Sequence, residues 1–240
     1  MIDPQNVDLR SIQTPVDKIN EFWLYSFLVA GKTSTTIAPR LDAMLLDLYR
    51  RATNTLNGAS SPKTWDQKRI VKEHADNKPF KLIEYLITQE AFCPVEYLRD
   101  WGFGQQQRTL KFFRDTVHLF RSKTDSGISE YPIKYWSLEE ISSIHGVGLK
   151  TSRFFCMNTR FGTRMAALDT HIIKYLKGKE LIPEDAPLVT PTSVKVYKEY
   201  EAKFLEVADR NNRDPRDFDQ EIWNHYSKKQ GKACRESIAA

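Results

Sequence analysis

The sequence has few of the residues on which disulfide frameworks and metal clusters depend. Its 240 residues include three cysteines, which are widely separated and form no Cys-x-x-Cys pair: Cys93, Cys156 and Cys234. This spacing excludes a disulfide framework and a four-cysteine zinc or iron–sulfur site within the chain. A reducing compartment is therefore expected.

Turn-forming and membrane-spanning sequences are scarce as well. There are 10 glycines and 11 prolines in 240 residues, below the roughly 12% that is usual for these two together. No apolar run approaches the roughly 18 residues of a membrane span, and residues 1–5 lack the basic and apolar regions of a secretory signal. We therefore expect a protein without a secretion signal, cytoplasmic and nucleoid-associated or nuclear.

The periodicity of the apolar residues favours helices throughout. Apolar residues make up 40% of the chain and charged residues 28%, which is typical of a globular protein with a core. No stretch alternates as a strand does. We predict an all-α fold with helices at 18–30, 37–51, 65–76, 79–89, 94–100 and 106–121 and in the tail DFDQEIWNHYSK, and loops at 52–64 and 125–135.

Residues 137–161 (SLEEISSIHGVGLKTSRFFCMNTRF) predict two short helices joined by a tight turn. Ser137 and Glu140 have the spacing of a capping box, which starts a helix that ends near residue 144. The turn Gly146-Val147-Gly148 follows, with Val147 expected in the core, and a second helix covers 149–159. Glycines let the backbone turn sharply and approach another chain closely.

The start of the second helix is a predicted anion site. The first N–H groups of a helix have no partner within it, and the helix dipole places positive charge there. A phosphate fits such a site, with Lys150 and Arg153 beside it. The alternative is an ordinary αα-hairpin with a glycine turn.

Basic residues are concentrated around this turn. The window 145–177 holds six basic residues and one acidic residue, a net charge of +5, so the rest of the chain is balanced; the six are Lys150, Arg153, Arg160, Arg164, Lys174 and Lys177. This charge suits a polyanion such as nucleic acid. A solvated basic face is the alternative.

The one acidic residue in that window is Asp169, nineteen residues after Lys150. It precedes the apolar run of Ile172, Ile173 and Leu176, where a helix N-cap belongs. Taken alone, Asp169 is a cap and Lys150 is a phosphate contact. Their joint spacing counts against reading each of them in isolation.

The segment IHGVGLKTSRFFCMNTRFG…AALDTHI resembles the helix-hairpin-helix DNA glycosylase superfamily, especially its endonuclease III branch. That branch has the pattern LPGVGxKTA…NTxFG…xVDTHI. The segments EFWLYSFLVAGKTST and LRDWGFGQQQRTLKFF resemble the family's first core helix and the helix start before the hairpin. The resemblance covers roughly residues 18–177 and is tightest at 144–176.

The resemblance implies a two-lobed helical fold and assigns the catalytic residues. One lobe would comprise residues 18–163 with the hairpin, and the other residues 1–17 plus 164–240, with Asp169 at their junction and the substrate between them. Lys150 matches the lysine of the bifunctional members, whose amine forms a Schiff base with the sugar C1′. Asp169 matches the family aspartate that stabilises positive charge on the sugar and assists proton transfer.

The hairpin is also the expected DNA contact. The predicted DNA-binding residues are His145, Gly146, Val147, Gly148, Lys150, Thr151, Arg153 and Lys32. In relatives the hairpin carbonyls often hold a monovalent cation, which is compatible with this hairpin. No other cofactor is expected.

The sequence departs from the family pattern at three places. The four C-terminal cysteines of the iron–sulfur cluster are missing, so no cluster is expected, as in the 8-oxoguanine glycosylases. The glutamine that fills the gap left by the flipped base has no match, since Gly31 or Lys32 falls near that position. His145 replaces the proline that usually precedes the hairpin glycines, and it either contacts phosphate or merely fits the turn.

These features predict a monomeric, bifunctional DNA glycosylase and AP lyase of base excision repair. The substrate would be double-stranded DNA with a flipped damaged or modified base, either an oxidised pyrimidine or 8-oxoguanine. Two alternatives stay open. One is a non-catalytic helix-hairpin-helix DNA-binding module, and the other is a glycosylase-fold enzyme acting on modified bases in a phage or defence context.

Overall fold

A computed structural model describes residues 9–30, 34–58, 79–89, 93–125 and 132–227 of the chain. Across these ranges the protein contains ten α-helices, one 3₁₀ helix and no strand. The predicted all-α fold is therefore confirmed. The predicted helix at 65–76 and the predicted DNA contact Lys32 lie outside the described residues.

The chain folds into two compact units, residues 1–147 and residues 148–240. The boundary follows Val147 and so divides the predicted hairpin in its turn. The division into lobes 18–163 and 1–17 plus 164–240 stays a prediction.

The helices agree closely with the periodicity of the sequence. Unit 1 contains α1 (Val16–Leu28), α2 (Ser34–Gly58), α3 (Pro79–Thr88), α4 (Pro94–Asp100), α5 (Gln106–Asp125), the 3₁₀ helix (Ile133–Tyr135) and α6 (Leu138–Ser143). Unit 2 contains α7 (Leu149–Thr159), α8 (Thr170–Gly178), α9 (Val194–Arg210) and α10 (Pro215–Ser227).

Helix α1 forms the centre of unit 1, as its nearly continuous apolar sequence predicts. Phe22 and Trp23 are fully buried. Phe27 stacks on Phe112 of α5 with ring centroids 3.8 Å apart, and the indole N–H of Trp23 donates to the hydroxyl of Thr116 at 3.2 Å. These contacts fix α5, which in turn contacts the hairpin turn.

Helix α2 is longer than predicted. The polar segment 52–64 was expected to be a loop, but the helix continues to Gly58. Ala52 is fully buried, and the hydroxyl of Thr53 donates to the carbonyl oxygen of Tyr49 at 3.0 Å. Burial and this local hydrogen bond extend the helix beyond its amphipathic part, which overrides the weak propensity of the sequence.

Unit 2 has its own core, built from α8, α9, α10 and the segment before α8. Fully buried residues in it include Leu168, Ile173, Tyr197 and Phe204. Helix α10, which was predicted from the sequence DFDQEIWNHYSK, contacts α7, α8 and α9. Helices α7 and α8 therefore both pack against α10.

Within the described ranges, no helix has the length and apolar character needed to span a membrane.

Candidate functional site

The turn of the hairpin begins in unit 1 with a fixed backbone. The hydroxyl of Ser137 accepts from the N–H of Glu140, and the Glu140 carboxylate accepts from the N–H of Ser137, which confirms the capping box. Gly146 has a φ of +77°, and a Cβ added there would lie 2.7 Å from Nε of Arg108. Glycine is required at this position both by its conformation and by the close approach of Arg108.

Arg108 of α5 holds the turn in place. Its guanidinium donates to the carbonyl oxygen of Gly146 at 2.7 Å and lies over the ring of Phe27 at 5.3 Å. One hairpin carbonyl thus already accepts a hydrogen bond from a cationic side chain. The monovalent cation at the hairpin stays a prediction.

The second glycine of the turn, Gly148, is the N-cap of α7 and is open to solvent. It has an extended backbone with φ −90° and ψ 176°, and an added Cβ would meet nothing within 4 Å. The first N–H within α7 that finds a helical acceptor is that of Ser152, which donates to Gly148. The N–H groups of residues 149–151 therefore form the positive end of this helix.

Lys150, the predicted nucleophile, lies in this first turn of α7. Its side chain is partly buried. The ammonium nitrogen lies 5.0 Å from the centroid of the Phe154 ring, one turn further along the helix. This contact holds the amine beside the helix start, and an aromatic face stabilises a nearby cation modestly.

Asp169 caps α8, as predicted. Its Oδ1 accepts hydrogen bonds from the backbone N–H groups of His171 at 2.8 Å and Ile172 at 3.0 Å. Two hydrogen bonds to one carboxylate oxygen fix the side chain and leave its charge at the start of α8. The cap and a catalytic role are compatible, because capping engages Oδ1.

The backbone leading to Asp169 is held by α9 and by the segment before it. The hydroxyl of Tyr197 accepts from the N–H of Leu168 at 3.0 Å and donates to the carbonyl oxygen of Ala166 at 2.8 Å. The Thr190 hydroxyl donates to the carbonyl oxygen of Leu168 at 2.8 Å. Asp169 therefore follows a segment whose position is set by buried hydrogen bonds.

Arg153 is placed differently from the prediction. It was expected to contact DNA, but its side chain is 6% exposed and its Nε donates to Glu201 of α9 at 2.7 Å. The guanidinium also lies over the ring of Tyr197 at 4.6 Å, and Glu201 accepts from the N–H of Ala166 as well. Arg153 belongs to the core of unit 2 and joins α7 to α9, so the prediction of a DNA contact is corrected.

Replacing Arg153 with Met is expected to lower the free energy of unfolding by about 3–5 kcal/mol. The substitution leaves the Glu201 carboxylate buried without its cationic partner, and that uncompensated charge is costly. Chemical denaturation at pH 7 measures the change.

The matched control is Arg164→Met, which breaks a 2.6 Å ion pair with Asp209 in which both side chains are more than half exposed. Surface pairs contribute about 0–1 kcal/mol, so this variant should be nearly as stable as the wild type. If Arg153→Met instead kept its stability and lost DNA affinity, the original prediction of a DNA contact would be right.

A second acidic residue, Asp219 of α10, lies near Lys150 and Asp169. Burial, followed by the Asp169 carboxylate, raises the pKa of Asp219 to about 8, while the charge of Lys150, a hydrogen bond from the backbone N–H of Ala167 and the charge of Arg216 oppose the rise. Its Oδ2 is buried and has no hydrogen-bond partner among the described residues. Charges on Lys150 and Asp169 thus both act on one carboxyl group, which brings the two predicted catalytic residues into one neighbourhood.

Sequence reasoning missed Asp219, although a signal was present. Phe218 and Ile222 of α10 are buried, and Asp219 lies beside this apolar face in the segment DFDQEIW. A carboxyl group on the buried side of a helix is costly unless it has a partner or a function.

His171 lies in the first turn of α8. Its ring packs edge-on to that of Trp223 of α10 at a centroid distance of 6.2 Å. Its Nδ1 is buried and has no hydrogen-bond partner within the described part of the chain. Like Asp219, His171 therefore has a buried polar atom that makes no hydrogen bond among the described residues.

The other predicted DNA-binding residues differ in accessibility. His145 is exposed, and its backbone N–H donates to Asp115 at 3.1 Å. Val147 and Thr151 are buried, as was expected for Val147, so Thr151 offers a ligand its backbone rather than its side chain. The backbone of the turn, rather than a cluster of side chains, is the exposed part.

Several charges of the basic window are also engaged within the protein. Arg153 and Arg164 form ion pairs, and Lys177 donates to the carbonyl oxygen of Ala186 at 2.9 Å. Lys174 on α8 is exposed. The net charge of the sequence window therefore overstates the charge that faces solvent.

Comparison with known proteins finds a family that matches the part of the chain containing Lys150 and Asp169. No curated protein and no solved structure matches the chain. Residues 104–213 match the family model described as 8-oxoguanine DNA glycosylase. This match contains the hairpin, Lys150 and Asp169, and it ends before Asp219. Through this region, the chain is similar to the helix-hairpin-helix DNA glycosylases.

Proposed function

We propose that this protein is a bifunctional DNA glycosylase and AP lyase, with Lys150 as the nucleophile and Asp169 as the stabilising carboxylate. The observation that carries the proposal is the neighbourhood of these two groups within unit 2. Lys150 lies in the first turn of α7 and Asp169 caps α8, and the charges of both act on Asp219. Similarity to a family of DNA glycosylases agrees with a DNA substrate.

The hairpin supplies a backbone site for a DNA phosphate. Gly148 is open to an approaching chain, and the N–H groups at the start of α7 face an anion favourably. Contacts to phosphate fix the position of a duplex without reading its sequence. A phosphate held here would bring the adjoining sugar towards Lys150, which lies in the same turn of helix.

The proposed chemistry begins with a flipped nucleotide. The lone pair of the Lys150 amine attacks the sugar C1′, and the glycosidic bond breaks with its electron pair leaving on the base, which takes up a proton. Asp169 stabilises the positive charge that develops on the sugar. The nitrogen then loses a proton, and its lone pair forms the C=N bond of the Schiff base as the bond between C1′ and the ring oxygen breaks. The electron pair of that bond moves to the ring oxygen, which takes up a proton.

Strand cleavage then follows from the Schiff base. A base removes a proton from C2′, and the C3′–O bond breaks with its electron pair leaving on the 3′ phosphate. Water hydrolyses the remaining imine and restores the lysine. The resulting β-elimination requires a primary amine in the site, so Lys150 separates a bifunctional enzyme from one that only hydrolyses the glycosidic bond.

The base that is removed belongs to one of two classes. The matching family model carries the description 8-oxoguanine DNA glycosylase, and the DTH sequence at 169–171 resembles enzymes that act on oxidised pyrimidines. We propose a damaged base from one of these two classes, in double-stranded DNA. A modified base that is not damaged is the alternative substrate.

Borohydride trapping tests the proposal directly, because it reduces the Schiff base to a stable amine and leaves a covalent protein–DNA adduct. The panel comprises duplexes with 8-oxoguanine, thymine glycol, dihydrouracil, uracil, 5-hydroxymethyluracil or a bare abasic site. We expect an adduct with the abasic duplex and with one damaged base.

The control is the same set of duplexes in a binding assay without borohydride. An adduct at the abasic site alone would support the lyase and point to a base outside the panel. Binding to every duplex with no adduct on any would contradict the enzyme and favour a non-catalytic DNA-binding module.

A further inference from the structure

We propose that Asp219 is a positioning residue of the Lys150–Asp169 site and that it works in its neutral, protonated form. Asp219 lies on α10, which contacts both α7 and α8. It is thus supplied by a helix outside the hairpin and outside residues 104–213, which match the family model. The role assigned to it rests on the proposed function of Lys150 and Asp169.

The geometry of the carboxyl group supports a neutral state. Oδ2 of Asp219 is buried without a hydrogen-bond partner among the described residues. The carboxyl group accepts one hydrogen bond, from the backbone N–H of Ala167, but ionised Oδ2 would lose its hydration and gain no donor in return, which is unfavourable. A proton on the carboxyl group removes the charge and creates a hydrogen-bond donor.

The groups around Asp219 come from four helices. The titratable or charged neighbours are Lys150 of α7, Asp169 at the start of α8, Tyr197 of α9 and Arg216 on its own helix. Arg216 also donates to the side chains of Asn158 and Asp217, so its charge is shared. Burial is the largest cause of the raised pKa of Asp219, and Asp169 is the second.

The protonation of Asp219 matters because Lys150 must attack as a neutral amine. With Asp219 neutral, Asp169 supplies the single negative charge among these carboxyl groups. Ionisation of Asp219 would add a second negative charge. That charge stabilises the ammonium form of Lys150, whose nitrogen has no free lone pair with which to attack the sugar. As the pH rises through about 8, the pKa of Asp219, Schiff-base formation should therefore be slower than in an enzyme in which residue 219 cannot ionise.

The protonation state can be measured without substrate. In the full chain labelled with carbon-13, the carboxyl carbon of Asp219 is assigned through its Cβ to the backbone and followed by NMR from pH 4 to pH 10. We expect a midpoint near 8, whereas an ordinary aspartate titrates near about 3.9. A midpoint below 5 would overturn the proposal.

The effect on catalysis is measured as the rate of borohydride trapping on an abasic duplex at pH 9 divided by the rate at pH 7. Asp219→Asn keeps the shape of the group and cannot ionise. Its ratio should be about tenfold higher than that of the wild type, as expected for removal of one inhibitory ionisation near pH 8. Other effects of pH on the reaction cancel in this comparison.

Glu221→Gln is the matched control, since it removes a carboxylate from the same helix. Glu221 is 42% exposed and pairs with Arg213 at the surface. The ratio of trapping rates for Glu221→Gln should therefore equal that of the wild type. A ratio for Asp219→Asn equal to that of the wild type would overturn the proposal. A purely structural role for Asp219 predicts slower trapping at both pH values with the ratio unchanged.

The two measurements separate this proposal from the proposed function. If the wild type forms no adduct at any pH, the glycosylase and lyase assignment fails. The NMR midpoint still decides the state of Asp219 in that case, because no DNA is present. A midpoint near 8 would support the neutral carboxyl group, and a midpoint below 5 would overturn it.

Discussion

Replacing Lys150 with Gln is expected to abolish borohydride trapping and to slow strand cleavage at abasic sites by at least about a thousandfold. Gln has a similar length and helix propensity but no nucleophilic amine, so no Schiff base forms. The loss of the contact between the ammonium group and Phe154 costs about 0.5–1 kcal/mol. The variant should therefore fold, and its thermal midpoint should stay within a few degrees of the wild-type value.

The control for Lys150→Gln is Lys174→Gln. Lys174 lies on α8 in the same unit and is exposed, so the substitution removes the same charge away from the start of α7. It should keep trapping and cleavage at wild-type rates. Cleavage that persists in Lys150→Gln would rule out this lysine as the nucleophile, and equal losses in both variants would show that net charge alone is responsible.

The hairpin could be predicted from sequence because its signals are local. The capping box at Ser137 and Glu140, the two glycines of the turn and the Asp169 cap each act within four residues of chain. The structure places α6 and α7 within two residues of the predicted bounds and begins α8 directly after Asp169. Local hydrogen bonds and backbone conformation determine these features, and the sequence displays both directly.

The groups that surround the proposed catalytic pair could not be predicted in the same way. Arg153 meets Glu201 across 48 residues of chain, and no local pattern distinguishes an arginine that faces DNA from one that is buried beside a glutamate. Asp219 likewise reaches the site through the packing of α10 against α7 and α8. Tertiary packing selects these partners, and charge counted along the sequence contains no information about it.

Family resemblance and packing contribute different parts of the site. The resemblance assigned Lys150 and Asp169 from the spacing of a motif, and the structure shows what holds them. Tyr197 fixes the backbone before Asp169, while Arg153 and Glu201 join α7 to α9. The proposed catalytic pair is thus held by buried polar contacts within one unit, so its geometry depends on the integrity of that core.

Replacing Asp169 with Asn is expected to slow base excision by about 10²–10⁴-fold while leaving the protein folded. Asn caps helices as well as Asp does, and its amide oxygen can accept from the N–H groups of His171 and Ile172 as Oδ1 does. The lost charge at the start of α8 costs about 0.3–1 kcal/mol. The catalytic loss is larger, because the amide cannot neutralise the positive charge that develops on the sugar.

A second variant at Asp169 separates the cap from the chemistry. Ala removes both functions, so Asp169→Ala should match Asn in its loss of base excision and should lose about a further 1 kcal/mol of stability. Single-turnover excision from the damaged duplex identified by trapping gives the rates, and chemical denaturation gives the stabilities. If Asp169→Asn excised the base at the wild-type rate and only Asp169→Ala were impaired, Asp169 would be a helix cap, and the negative charge that the mechanism requires would have to come from another residue.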